Sequence, residues 1–447
     1  MIKKHNLTLK KLATIFVVLI TILSMVVVPS AQACTRFVYQ KTSETSPITA
    51  RSMDWMEFPD TKLWFFPKGL DRKGGAGNNS VQWISQYASI VNSSYDLTMV
   101  DGINEKGLVA NLLFLGDTEY GTNQDQDEKD ISLGAWGQYV LDNYQDVNEA
   151  VACLTKNMSS DHYQIISPDD QDNDQGQIVC DNQANKPLHI VTITLGADGL
   201  QGQKLALHMS LSDKDGDSAI LEYIDGKLII HQDSKYDVLT NDPIYSEQLA
   251  INSYWDTLYK SSVQDSSPEA TLFPNAGVFL PGTSNTSDRF VRANYYLHKM
   301  EMENSLKSNP KNFDPDSERN GELAGAFGII RNVSDPIGLA IPGNLGTTQW
   351  RTVASQDPEN LLYFFEKTNS PNIVWVSMKT MLSELSSQEV KFLDMGSLTE
   401  INNDLVGDVS SKFELGDKNG LNWNLCDRSE EGFDFEAPPE CKKIPQD

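Results

Sequence analysis

A basic, apolar leader that ends on a cysteine sets the terms for the rest of this chain. Residues 1–33 contain Lys3, Lys4, Lys10 and Lys11, with no acidic residue and no arginine. A largely apolar 16-residue stretch, Ala13–Val28, leads into Pro29-Ser30-Ala31-Gln32-Ala33. Small residues at 31 and 33 stand where a signal peptidase reads, so the leader is expected to be secretory and cut after Ala33. The alternative is an uncut anchor, but the stretch is short of the ~20 residues that span a bilayer comfortably. Cutting there makes Cys34 the first residue of the body. The fold must then place its own amino terminus, with a thiol attached, at a defined point.

The leader also distorts the charge balance. The whole chain has 447 residues and carries −26, from 36 basic and 62 acidic residues. Without the four leader lysines, 32 basic residues face 62 acidic, a charge of −30. So acidic a body is a poor partner for nucleic acid, which needs a basic surface to release counterions. It is equally poor at docking electrostatically on anionic lipid. No stable membrane anchor is expected once the leader is gone.

Two chemistries place a cysteine at a new amino terminus. Lipoprotein processing is one, yet Ala31 and Gln32 fit its usual site poorly. The other is an N-terminal nucleophile, in which the α-amine serves as base for the thiol of the same residue. An α-amine titrates at ~7.7–8.0 and a thiol at ~8.5, so proton transfer between them is nearly balanced. A cysteine that merely lies near the cut is the third reading.

The next segments bear on that choice. Cys34–Tyr39 alternates as a strand does, Ser43–Pro47 is a turn-forming cluster, and Ile48–Trp55 returns. Such a hairpin brings Arg51 and Asp54 beside the terminus. Arg51 would favour the thiolate by its charge, and Asp54 would orient the α-amine. The plain alternative for this i, i+3 pair is a surface ion pair.

Cys34 and Ala50-Arg51-Ser52-Met53-Asp54-Trp55, together with three later motifs, resemble the choloylglycine hydrolase family, which includes bile salt hydrolases and penicillin V acylases. The later motifs are Asp101-Gly102-Ile103-Asn104-Glu105-Lys106-Gly107-Leu108, then Leu239-Thr240-Asn241-Asp242-Pro243. The third is Leu280-Pro281-Gly282 followed by Ser287-Asp288-Arg289-Phe290-Val291-Arg292. A weaker echo lies in Thr348–Val353 and Asn360–Phe364. The resemblance runs from Cys34 to about residue 380. It implies an α+β, four-layer αββα N-terminal-nucleophile fold and hydrolysis of a linear amide in a small N-acyl compound, with a tetramer as the family's assembly.

The resemblance also implies roles. Cys34 would be the nucleophile, with Arg51 and Asp54 beside it. Asn241 would supply half of an oxyanion hole, and Arg289, ranked above the neighbouring Arg292, would hold the charged groups together. Leu113 falls where relatives carry a polar substrate contact, leaving only a backbone donor there. Trp55 is a substrate contact or a core tryptophan. Candidate substrates are penicillin V, N-acyl homoserine lactones and conjugated bile salts, and no cofactor or metal is implied. A lipid-anchored or non-catalytic binding protein that keeps the fold is the alternative from another class.

The remainder reads as strands and helices in mixture. Strands are expected at Leu205–Leu211, Ala219–Tyr223 and Lys227–His231, with Asp225-Gly226 as a hairpin turn. Helices are expected at Ser132–Asn143, Val147–Lys156, Ser246–Ser261 and Ser287–Lys307. The acidic stretches Asp213–Asp217 and Asp170–Gly176 read as solvated turns, since neither completes a calcium loop. The amidase domain is placed at 34–396, with a polar insertion near Ser167–Asn185 and an acidic extension over 397–447. Four cysteines besides Cys34 allow three disulfide connectivities. Cys426–Cys441 is the local pairing, leaving Cys153–Cys180, and buried free thiols are the alternative.

Overall fold

The computed structural model describes residues 34–40, 45–122, 128–167, 178–180, 187–195, 202, 204–262, 280–306, 318–337, 346–370, 372–383, 389–396, 405–417, 420–426, 435–436, 438 and 441. The leader, the acidic stretch Asp170–Gly176 and most of the Ser167–Asn185 insertion lie outside them.

Two sheets form the middle of the molecule. The seven-stranded sheet runs, in spatial order, Val238–Thr240, β1 (Thr35–Tyr39), β2 (Ile48–Trp55), Thr347–Ser355, Leu362–Lys367, Ile373–Ser377 and Gly407–Asp408. The ten-stranded sheet centres on Val109–Phe114 and Thr98–Asn104, flanked by Leu207–Ser212 on one side and Ser89–Ser94 on the other. All eight residues of β2 are buried. One face of β2 meets the second sheet and the other meets helices, which is why its sequence lacks a polar/apolar alternation.

Helices cover the outer faces. Helix α1 (Leu133–Asn143) lies on the ten-stranded sheet, as does α2 (Val147–Thr155). Helix α3 (Tyr245–Ser262) packs on α4 (Thr286–Leu306), which lies against β1 and Val238–Thr240. Helix α5 (Glu318–Asn332) lies against β2 and Thr347–Ser355. The result is the αββα order implied by the resemblance.

Local signals account for most of these boundaries. Ser132 caps α1 by accepting from the Gly134 N–H, and Asp146 caps α2 by accepting from the Glu149 N–H at 2.8 Å. Asp225 and Gly226, with φ of 51° and 75°, turn the hairpin that pairs Ile224 with Lys227. Helix α5 was not anticipated. Gly321, Gly325 and Gly328 lower its intrinsic propensity, and it forms by burying Leu323, Ala326, Phe327 and Ile330.

Both disulfides are present, Cys153–Cys180 and Cys426–Cys441, and Cys34 is the free cysteine. The described part of the tail is continuous with the body. Gly407–Asp408 extends one sheet, Glu414–Leu415 extends the other, and Leu421, Trp423 and Leu425 are buried.

Candidate active site

β1 is an interior strand, paired with β2 on one side and Val238–Thr240 on the other. Thr35 stands opposite Thr240 in antiparallel register, so the chain continues outward to Cys34 on one strand and Asn241 on its neighbour. Register alone therefore brings together two residues more than 200 positions apart. Asn241 is fully buried. Its backbone is pinned by Gln248, whose Nε2 donates to the carbonyls of Thr240, Asn241 and Pro243 at 3.1, 2.9 and 2.7 Å.

The Cys34 sulfur faces three donors or acceptors of β2. Arg51 Nη2 lies 3.7 Å from Sγ, and the Asp54 N–H donates to Sγ at 3.5 Å. Sγ itself reaches the Asp54 carbonyl at 3.8 Å. Arg51 and Asp54 are each 1% exposed, so they are not a surface pair. Three residues apart on a strand, they project to opposite faces. Arg51 enters the space between the sheets, where Nη2 donates to the Leu112 carbonyl at 2.9 Å and the guanidinium lies 4.7 Å from the Trp350 ring centroid. The Asp54 carboxylate enters the helix side.

There Arg289 of α4 bridges two carboxylates, Asp54 and Asp335, and Thr348 donates its hydroxyl to Asp54. Arg289 Nη1 also donates to the Val333 carbonyl at 3.1 Å. Arg292 is half-buried and instead donates to the Pro281 and Thr283 carbonyls. Burial pushes the Asp54 carboxyl up, and Arg289 opposes it. Burial likewise pushes the Cys34 thiol up, against the pull of Arg51.

In front of the sulfur opens an apolar cleft that, mouth included, holds about 580 Å³. Cys34, Met53, Trp55, Tyr95, Leu97 and Ile193 are among the residues that line it. The Trp55 indole donates to the Tyr95 hydroxyl at 2.8 Å, and that hydroxyl donates to Glu57 at 2.9 Å. Leu113 is not among the lining residues. It is buried in the core opposite His208, while its neighbours Leu112 and Phe114 border the cleft.

Four participants were not singled out from sequence. Tyr95 sits in a short connection between strands and Asp335 lies just after α5, both without a motif, and Thr348 lay in the weaker echo without a role. Asp101 lay inside a quoted motif. It is buried between the sheets, accepts from Thr352, and interacts electrostatically with Arg51. Among the described residues, no cluster of three or more His, Cys, Asp or Glu is arranged to hold a metal.

Comparison with known proteins decides the family. The profile described as linear amide C-N hydrolases, choloylglycine hydrolase family, matches residues 34–171 and 177–392. The chain belongs to the choloylglycine hydrolase family. It is a linear amide C–N hydrolase of the penicillin V acylase and bile salt hydrolase type. A penicillin V acylase of Pectobacterium atrosepticum is 39% identical over 380 residues, 81% of this chain and 86% of its own length. The structure of penicillin V acylase from Agrobacterium tumefaciens superposes with a TM-score of 0.65 at 37% identity, covering 86% of this chain and 98% of that one. Two variants of the conjugated bile acid hydrolase of Clostridium perfringens match at 20% identity and a TM-score of 0.58, over 83% of this chain and 99% of theirs. At that identity they bear on the fold alone, and the fold is the N-terminal-nucleophile sandwich.

Proposed function

We propose that this family member is an exported cysteine amidase whose nucleophile is Cys34, freed by cleavage after Ala33, and whose preferred substrate is a penicillin V-like N-acyl amide. The observation that carries the reading is the setting of the Cys34 sulfur, between Arg51 and the Asp54 backbone at the head of an apolar cleft. An acyl group with an aromatic or alkyl body fits that lining, and the amide carbonyl would then lie over the sulfur.

The chemistry follows from proton positions. The α-amine of the cut chain takes the thiol proton, and the thiolate attacks the amide carbon. The resulting oxyanion is held by the Asn241 side-chain amide and a backbone N–H, each such donor worth ~3–4 kcal/mol. The protonated α-amine then gives its proton to the leaving amine as the C–N bond breaks. Water, deprotonated by the same amine, hydrolyses the thioester and restores the thiol. Arg51 opposes the desolvation of the thiolate by its positive charge. Arg289 and Thr348 fix Asp54, which fixes the end of β2 against Cys34. Support for penicillin V over other acyl amides comes from the Pectobacterium relative.

The test combines two measurements on exported protein. Mass spectrometry of the mature chain is expected to find a free amino-terminal Cys34. Turnover of penicillin V, an N-acyl homoserine lactone and a conjugated bile salt is expected to favour the first and to vanish in Cys34→Ala, with the circular dichroism unchanged. A diacylglyceryl, N-acylated Cys34 would remove the base and give the lipid-anchored binding protein instead. Undiminished turnover in Cys34→Ala would end the nucleophile assignment.

A further inference from the structure

The family match ends at residue 392, yet residues beyond it bond to segments that adjoin the cleft in two places. The first is the 420–426 stretch. The Asn422 N–H donates to the Asp96 carbonyl at 3.0 Å, and the Leu425 N–H donates to the Gly75 carbonyl at 2.8 Å. The Trp423 indole donates to the Lys73 carbonyl at 2.8 Å. Asp96 stands between Tyr95 and Leu97, and both of those line the cleft. Tyr95 and Asp96 have φ of 54° and 51°, a left-handed pair that non-glycine residues hold only when surrounding contacts impose it. The tail supplies one of those contacts.

The second place is the short strand Phe435–Glu436. It pairs with Thr194–Leu195, Glu436 opposite Thr194 and Phe435 opposite Leu195. Thr194 directly follows Ile193, a lining residue, and the Ile193 carbonyl accepts from the N–H of Leu205, another lining residue, at 2.9 Å. The Cys426–Cys441 disulfide links the end of the first stretch to a residue five positions beyond the second. Cys441 is half-buried against the same core that contains Cys34, and its N–H donates to the Pro438 carbonyl at 3.0 Å.

We propose that the disulfide-closed tail is a specificity element, fixing the spacing of the Tyr95–Leu97 and Ile193–Leu205 parts of the cleft so that it favours a rigid, flat aryl-acyl group. The Tyr95 side chain is also tied to Trp55 on β2, but neither part bonds directly to Cys34, Arg51 or Asp54 among the bonds described above. Cys34, Arg51 and Asp54 are fixed by strand register, Arg289 and Thr348. Loosening the tail therefore weakens binding of a closely fitting acyl group without displacing the reacting atoms. The expected kinetic signature is a raised KM with kcat nearly unchanged. The proposal rests on reading the cleft as the acyl site.

The experiment compares the mature parent enzyme with Cys426→Ser/Cys441→Ser, using Cys153→Ser/Cys180→Ser as a control for loss of a disulfide elsewhere. The substrates are penicillin V and an N-hexanoyl amide. In the tail variant the KM for penicillin V is expected to rise about tenfold, with kcat within about twofold, and preference over the hexanoyl amide falls in step. The control keeps the parent's preference. Should the double variant fail to fold, Asn422→Pro keeps both disulfides and deletes the bond to Asp96, together with the local side-chain bond to the Asn424 N–H, with an expected KM rise of about threefold. A parent-like acyl preference in the folded tail variant, or in Asn422→Pro when the double variant does not fold, overturns the proposal while leaving the acyl-site reading intact. Turnover of neither substrate by the parent removes that reading and the proposal together.

Discussion

At the scale of single residues, the site is a set of buried charges whose neighbours decide their state. Arg289 is the clearest case, fully buried and shared between Asp54 and Asp335. Removing it would leave two carboxylates without their cation, the costly half of a buried pair. Cys34 is held the opposite way, for its burial outweighs the help of Arg51 and pushes the thiol up. While Cys34 is still bonded to Ala33, its alkylation by iodoacetamide should have a pH midpoint above the ~8.5 of a free cysteine. The sign follows from burial: disfavouring the thiolate moves the proton's departure to higher pH. A midpoint at or below that of a cysteine peptide would contradict this account. The residue scale is also where sequence was least informative. Asp335 and Tyr95 act through partners far away in the chain, and no local pattern marks them. Leu113 shows the same limit, since a motif gives a position in sequence and the strand's pleat decides which neighbours border the cleft.

At the scale of elements, short-range signals carried further. Helices α1 to α4 lie within a residue or two of their expected bounds, and the Asp225-Gly226 turn joins the strands expected on either side of it. Helix α5 escaped because only its tertiary contacts outweigh its glycines. Motif glycines acquire a reason as well. A Cβ on Gly102 would meet the Ile90 carbonyl oxygen at 2.7 Å and Val91 Cγ1 at 2.6 Å, so no larger residue fits beside Asp101 without displacing the next strand. The turn after Leu207–Ser212 carries a pH-dependent contribution. Asp213 accepts from the N–H groups of Val147, Asp215 and Asp217, which ties the start of α2 to the ten-stranded sheet. Burial nevertheless raises its carboxyl to about 6, with Asp217 adding to the effect. An unfolded aspartate titrates near ~3.9. Between those values the folded chain holds the extra proton, so stability contributed by this group falls as pH rises from about 4 to about 6. Asp213→Asn does not titrate and should lack that fall, a difference of up to ~3 kcal/mol between urea denaturation at pH 4 and at pH 6.5. Parallel curves for the two proteins would refute it.

At the scale of the whole molecule, two disulfides tie peripheral segments to a body that already has two extended cores. Cys153–Cys180 closes a separation of 27 residues and fastens the end of α2. By loop-closure entropy its loss should cost ~3–4 kcal/mol, read as a lowered urea midpoint in Cys153→Ser/Cys180→Ser. An unchanged midpoint would mean that the unfolded chain gains nothing from release. The sandwich itself was legible only through motif order, because which strand lies beside which is settled by packing between distant segments. The interior place of β1 is such an outcome. β2, beside it, carries Arg51 into the gap between the sheets and Asp54 toward the helices. A slip of one residue in pairing would exchange those destinations, thrusting a guanidinium at Arg289 and a carboxylate at the aromatic face of Trp350. Charge on this strand thus discriminates against the wrong register: a mispaired chain would be penalised at the very residues that surround Cys34 in the correct one.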